Sequence, residues 1–117
     1  MSDCLFCRII ARSIPSQVIY EDDLALAFED INAQAPVHTL VIPKQHVGSL
    51  DEMDGSARPN GSLLGHLLLT CATIARQKGI SQSGYRVVVN TGANGGQTVF
   101  HLHVHLLGGR PLAWPPG

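Results

Sequence analysis

His101-Leu102-His103-Val104-His105-Leu106 sets an imidazole at every second position, and half of the chain's six histidines lie here. Successive side chains of a strand point to opposite faces, so the alternation puts three imidazoles in one row and Leu102, Val104 and Leu106 behind them. Such a row can be read as solvated surface histidines, as a metal site with a bound hydroxide, or as a nucleophilic centre. Chance explains the regular spacing poorly. For a shared metal the outer rings stand about 13 Å apart along the strand, and the motif contains no Asp or Glu to complete the set. Attack on phosphorus fits best, because a neutral imidazole is nucleophilic at cellular pH and its phospho-adduct leaves easily. His103 in the centre is then the nucleophile. Its second nitrogen must carry a proton and face an acceptor such as a backbone carbonyl, while a protonated flanking ring holds a phosphate oxygen.

Gly92-Ala93-Asn94-Gly95-Gly96-Gln97-Thr98 runs directly into this row. Glycines let backbone N–H groups converge on an anion, and the loop brings Gln97 and Thr98 beside the histidines. At the other end of the chain, Cys4 and Cys7 form a C-x-x-C pair. With three cysteines in all, metal or redox chemistry explains the pair better than a disulfide framework does. Cys71 falls in an apolar helical run and reads as core. His66, in the same run, has no evident partner and reads as structural.

These groups need a scaffold. Leu5, Phe6, Ile9 and Ile10 give a short helical pattern ended by Pro15. Val18–Tyr20 and Leu24–Phe28 read as strands around a Glu21-Asp22-Asp23 turn, and His38–Ile42 as a third strand stopped by Pro43. Gly48 to Gly61 is polar and rich in turn formers, predicting a surface loop with room for a helical turn. Leu63, Leu64, Leu67, Leu68, Cys71, Ile74 and Ala75 then recur at helical spacing, predicting one long helix of about 16 residues with Ser62 as cap and Gly79 as stop. Tyr85–Asn90 and Val99–Leu107 complete the strands, with Thr91–Gln97 as a loop. Strands joined by short turns with one helix on a face predict an antiparallel α+β domain spanning residues 1–117.

Composition narrows the function. A net charge of −1 with eight dispersed Lys and Arg excludes a general grip on nucleic acid. Met1-Ser2-Asp3 lacks the basic start and apolar run of a secretory leader, and no stretch is long and apolar enough for a membrane span, so a cytoplasmic protein is expected. Trp114, the only tryptophan, sits in a Trp-Pro-Pro-Gly ending that cannot extend a sheet. It is expected to fold back or to reach a second subunit.

Taken together, Pro36-Val37-His38, Val41-Ile42-Pro43-Lys44-Gln45-His46, Gly95-Gly96-Gln97-Thr98-Val99-Phe100, the histidine row with Gly108-Gly109-Arg110, and the Trp-Pro-Pro-Gly end resemble the histidine-triad (HIT) superfamily. The last two features resemble its HINT branch of purine nucleoside phosphoramidases. The resemblance runs nearly end to end. It implies a five-stranded antiparallel sheet with one long helix and a short N-terminal helix, in a homodimer whose two sheets form one. It implies a nucleotidyl-histidine intermediate on His103, with His105 and His38 assisting at the phosphate and Thr98, where relatives often carry serine, contacting the phosphate or relaying a proton to the leaving amine. It implies a purine nucleotide substrate, held by Asn90 and Gln97 near the phosphate and by Asp30 at the ribose. Leu5, Phe6, Ile9, Phe28 and Ile31 would form the base slot, and Trp114 would lie near the other subunit's site.

The cysteine pair resembles bacterial members that hold a structural zinc, whose remaining ligands match His46 and His101. His101 would then bind metal rather than act as acid or base, and catalysis would need no cofactor. The segment Asp51–Asn60 is longer than in eukaryotic relatives. A dinucleoside polyphosphate hydrolase of a neighbouring branch, a nucleotide-binding interaction module and a metal-dependent hydrolase remain as alternatives.

Overall fold

The computed structural model describes residues 3–117, so the expectation that concerned Met1 and Ser2 lies outside it. Five strands form one antiparallel sheet: β1 (Val18–Glu21), β2 (Ala25–Glu29), β3 (Val37–Pro43), β4 (Tyr85–Val88) and β5 (Val104–Gly108), in the order β1-β2-β3-β5-β4. Helix α1 (Leu5–Ile10) covers one face, packing Phe6 and Ile9 on Leu26, Phe28, Leu40 and Ile42. Helix α2 (Arg58–Gln77) covers the other through Leu67, Cys71, Ile74 and Ala75, against Ala25, Ala27, Val41, Val104 and Leu106. Alternation along β2, β3 and β5 thus feeds two cores, and the sheet is buried on both sides. Among the described residues no helix is long and apolar enough to cross a membrane.

Three larger differences from the sequence reading have local reasons, beside small shifts that move β2 to Ala25–Glu29 and take Pro43, expected to stop the third strand, into β3. Helix α2 has 20 residues, beginning at Arg58 with Ala57 as cap, and Ser62 lies inside it. Pro59 needs no N–H partner in the first turn and arrives with helical φ. Asp54 organises the approach, its Oδ1 accepting from Ser56 N and Oγ and its carbonyl from Ala57 N and Asn60 Nδ2. Gly79 does end the helix, at φ +75°, with the Ile80 N–H returning to the Ala75 carbonyl. The second difference is a one-turn helix α3 (Gly92–Gly95) where a loop was expected.

The third concerns the histidine strand. It begins at Val104, not Val99, and β4 stops at Val88. The β3–β5 ladder starts at the Val41–Val104 pair, and two residues beyond Val41 stands Pro43. Proline has no N–H to donate, and its carbonyl accepts instead from His101 Nε2–H at 2.9 Å. The ladder therefore ends just where the first two histidines lie. The side-chain alternation nevertheless persists, with Leu102, Val104 and Leu106 buried in the α2 core.

Candidate active site and metal cluster

His103 is buried on the α1 face, its ring set edge-on to Phe6 with centroids 5.1 Å apart. Its Nδ1 lies 2.7 Å from the His101 carbonyl, which can only accept. Nδ1 therefore carries the proton, and Nε2 keeps a lone pair.

His105 follows two residues on, with ring centroids 5.0 Å apart. In the β3–β5 register Leu40 faces His105 and His38 faces Leu107, so His38 is the diagonal neighbour of His105 on the same face. A proton count along this pair fixes both tautomers. The Gln34 N–H donates to His38 Nδ1 at 3.0 Å, so neutral His38 carries its proton on Nε2. That N–H donates to His105 Nδ1 at 2.9 Å, which places the His105 proton on Nε2. His105 Nε2 is buried and has no hydrogen-bond partner among the described residues. This face of the sheet thus presents one imidazole lone pair and, beside it, one buried N–H donor.

Burial pushes His105 down to about 4, with His103 and His38 adding to the effect, and burial also lowers His38 against the pull of Asp30 and Glu29. The flanking ring is consequently neutral at cellular pH, not protonated as the sequence reading had it. It acts as a hydrogen-bond donor, not as a cation. Asp30 Oδ2 stands 3.3 Å from His38 Nε2, and Oδ1 accepts from Asn32 N at 2.8 Å.

The remaining site residues are spread around this centre. Phe6, Ile9 and Phe28 are buried together, Phe6 and Phe28 edge-to-face at 5.4 Å, whereas Leu5 is exposed and Ile31 entirely so. Gln97 is buried with its amide spent on the loop: Oε1 accepts from Gly92 N, and Nε2 donates to the carbonyls of Gly48 and Val99. Asn90 is half-buried just past β4, and Thr98 is exposed on a recess of about 750 Å³ that it shares with Leu5, Phe100 and His46. Trp114 is 80% exposed. Arg86 holds it in place, with the guanidinium 6.0 Å from the indole and donating to the carbonyls of Leu112 and Ala113.

His101 points elsewhere. Its Nε2–H is committed to Pro43, so the Nδ1 lone pair faces Cys4, Cys7 and His46. Cys4 Sγ and Cys7 Sγ lie 3.3 and 3.5 Å from that nitrogen, Cys7 Sγ is 3.3 Å from His46 Nδ1, and the two Nδ1 atoms are 3.1 Å apart. A tetrahedral zinc would set S···N edges of about 3.6 Å and N···N edges of about 3.3 Å, close to these values. Two sulfurs and two ring nitrogens, one already oriented from behind by a carbonyl, suit a structural zinc. Asp30, His38 and His105 also bring ligand atoms together, but there donors and acceptors alternate as ordinary hydrogen bonds.

Several parts of this machinery carry no side-chain signal: the Gln34 N–H and the carbonyls of His101 and Pro43 are main chain. His66 does have a partner, Asp22 Oδ2 at 2.7 Å, which also accepts from Tyr20 Oη. Asp22 holds the β1–β2 turn through the N–H groups of Leu24 and Ala25, so His66 ties α2 to that turn.

Residues 11–112 match the HIT domain family. The chain belongs to the HIT family. An uncharacterized HIT-like protein of Synechococcus elongatus is 59% identical over 115 residues, 98% of this chain and 97% of its own. A 14 kDa zinc-binding protein of Zea mays is 49% identical over 99% of this chain and 89% of its own. The crystal structure of a HIT family hydrolase from Legionella pneumophila superposes with a TM-score of 0.93 at 44% identity, covering 98% of this chain and 100% of that one. The five-stranded sheet with its long helix is thus the fold of HIT family hydrolases.

Proposed function

We propose that this chain is a phosphoramidase of the HINT branch that hydrolyses adenosine 5′-phosphoramidates, such as AMP joined to lysine, and also takes the acyl–phosphate link of an aminoacyl adenylate, through His103. The observation that carries the reading is the hydrogen bond from His103 Nδ1 to the His101 carbonyl, which leaves Nε2 free to attack. In the first step His103 Nε2 attacks the α-phosphorus, a P–N(His) bond forms and the substrate's P–N bond breaks. The leaving amine must depart protonated, and Thr98 relays that proton. The neutral His105 Nε2–H donates to a phosphate oxygen, its orientation maintained by His38 and Gln34. Water then attacks the adduct, releasing AMP and restoring the His103 lone pair. Asp30 accepts from the ribose hydroxyls, Asn90 lies at the phosphate, and Gln97 shapes the phosphate loop it braces. Phe6, Ile9 and Phe28 floor the base slot, and the exposed Leu5 and Ile31 close over the purine.

Cys4, Cys7, His46 and His101 would hold zinc, which when bound cross-links α1 to the sheet; the zinc-binding maize relative supports this. The exposed Trp114, with Leu68 and Leu69 on the outer side of α2, suits a homodimer that joins the two sheets. A cytoplasmic, metal-independent catalyst follows from the same reading.

Rapid quench with AMP-morpholidate and with diadenosine polyphosphates separates this reading from the neighbouring polyphosphate-hydrolase branch. Adenylylated His103 with faster turnover of the amide is expected; the opposite preference moves the chain to that branch. The ligand atoms that Asp30, His38 and His105 bring together make a metal-dependent hydrolase the other reading to test, although their hydrogen bonds already account for them. It predicts that brief chelation abolishes turnover with the fold intact, and that no covalent adduct forms.

A further inference from the structure

The cysteine pair has the geometry for a second chemistry. All four ligand atoms, both sulfurs among them, lie within 4.8 Å of one another. Cys4 and Cys7 are three residues apart across the first turn of α1, with the Cys7 N–H donating to Cys4 Sγ. Side chains so placed need only a small closure to form a bond between the sulfurs. Both thiols are half-buried, not sealed, and the recess of about 750 Å³ that reaches Thr98 is lined by Cys4, Cys7 and His46. Cys71 supplies the contrast, fully enclosed in the α2 core. The same site also touches the nucleophile through one residue. His101 gives its Nδ1 to the cluster and its carbonyl to His103 Nδ1–H.

We propose that Cys4 and Cys7 are a site of reversible oxidation by peroxides, which closes a disulfide, dismantles the metal-holding set and loosens the carbonyl that orients His103. One thiolate attacks a peroxide oxygen and the O–O bond breaks, giving a sulfenic acid and hydroxide. The other thiolate attacks that sulfur, forming the S–S bond and expelling a second hydroxide. Two electrons pass from the sulfurs to the peroxide, and solvent protons convert the hydroxides to water. His101 then loses the two sulfurs beside Nδ1, while its bond to Pro43 and its edge contact with Phe6 remain.

The effect on rate rests on the phosphoramidase reading; the oxidation itself does not. The test is graded hydrogen peroxide on zinc-loaded protein, with released zinc measured by a chromogenic chelator and the N-terminal peptide by mass spectrometry. The ¹⁵N-coupled His103 Nδ1–H resonance is followed in parallel. The expected result is zinc released in step with a Cys4–Cys7 disulfide, and a His103 signal that shifts or broadens. Hydrolysis of the amide should fall about 10-fold or more, and dithiothreitol with zinc should restore all three. Cys71→Ser should respond like the unsubstituted chain. Over-oxidation of either thiol without a disulfide, a disulfide through Cys71, or a disulfide that leaves the His103 resonance unmoved would overturn the proposal. A protein that never hydrolyses amides, yet shows the disulfide, the zinc release and the altered resonance, loses the assigned function and keeps this site.

Discussion

His103 and His105 are two residues apart and do opposite jobs, one giving a lone pair and the other an N–H, because different carbonyl and amide partners set their tautomers. Replacing His103 with Ala should therefore lower turnover on the order of 10³- to 10⁶-fold while leaving AMP affinity within a few-fold, as for loss of a nucleophile; near-normal turnover in a stopped assay would sink the assignment. The buried pair also has a pH signature. Burial takes His105 from 6.5 to about 4 and lowers His38 as well, so between those values the unfolded chain binds more protons than the folded one. Stability is then fully present above pH about 6.5 and is lost as the pH falls toward 4. Thermal melts across this window should show a falling Tm, with a flatter slope in His105→Asn; equal slopes would mean that the proton uptake belongs to other groups.

At the level of elements, the turn after β5 has no slack. Gly109 sits at φ +91°, and a Cβ there would approach the Pro36 ring to 2.8 Å, whereas one at Gly55 meets nothing. Gly109→Ala should cost about 1–3 kcal/mol and disturb the β3–β5 register on which His38 and His105 depend. Gly55→Ala should be neutral, and denaturant melts of the two variants decide the comparison. Alternation along His101–Leu106 was legible because a period of two survives even where the hydrogen-bonded ladder does not. The end of the ladder was not legible, since it depends on where Pro43 falls across the sheet. Likewise the predicted start of α2 missed the turn at Asp54, whose bonds join polar residues that read as loop. The partner of His66 lies 44 positions away in sequence and leaves no local pattern. Cys4 and Cys7 were legible from their C-x-x-C spacing, but His46 and His101 were joined to them by resemblance, as nothing in the spacing relates residue 4 to residue 101.

On the scale of the whole molecule, the two faces of the sheet are unequally secured. Helix α2 lies along one face with 20 residues; the face that carries His103 is covered by a helix of six, too short to persist without tertiary support. Removing zinc with a chelator should lower Tm by several degrees before it affects chemistry at low temperature, and zinc but not magnesium should restore it. Calorimetry with and without each ion checks this. Sedimentation should find a dimer, and Leu69→Glu on the outer side of α2 should shift it toward monomer without unfolding the chain. A chain trimmed of its first dozen residues would keep the α2 hemisphere intact but strip the roof from Phe28, Leu40 and His103. Amide exchange in such a fragment should run slowly beneath α2 and quickly along the bared side, so that a short leading segment governs whether the His103 ring meets bulk water.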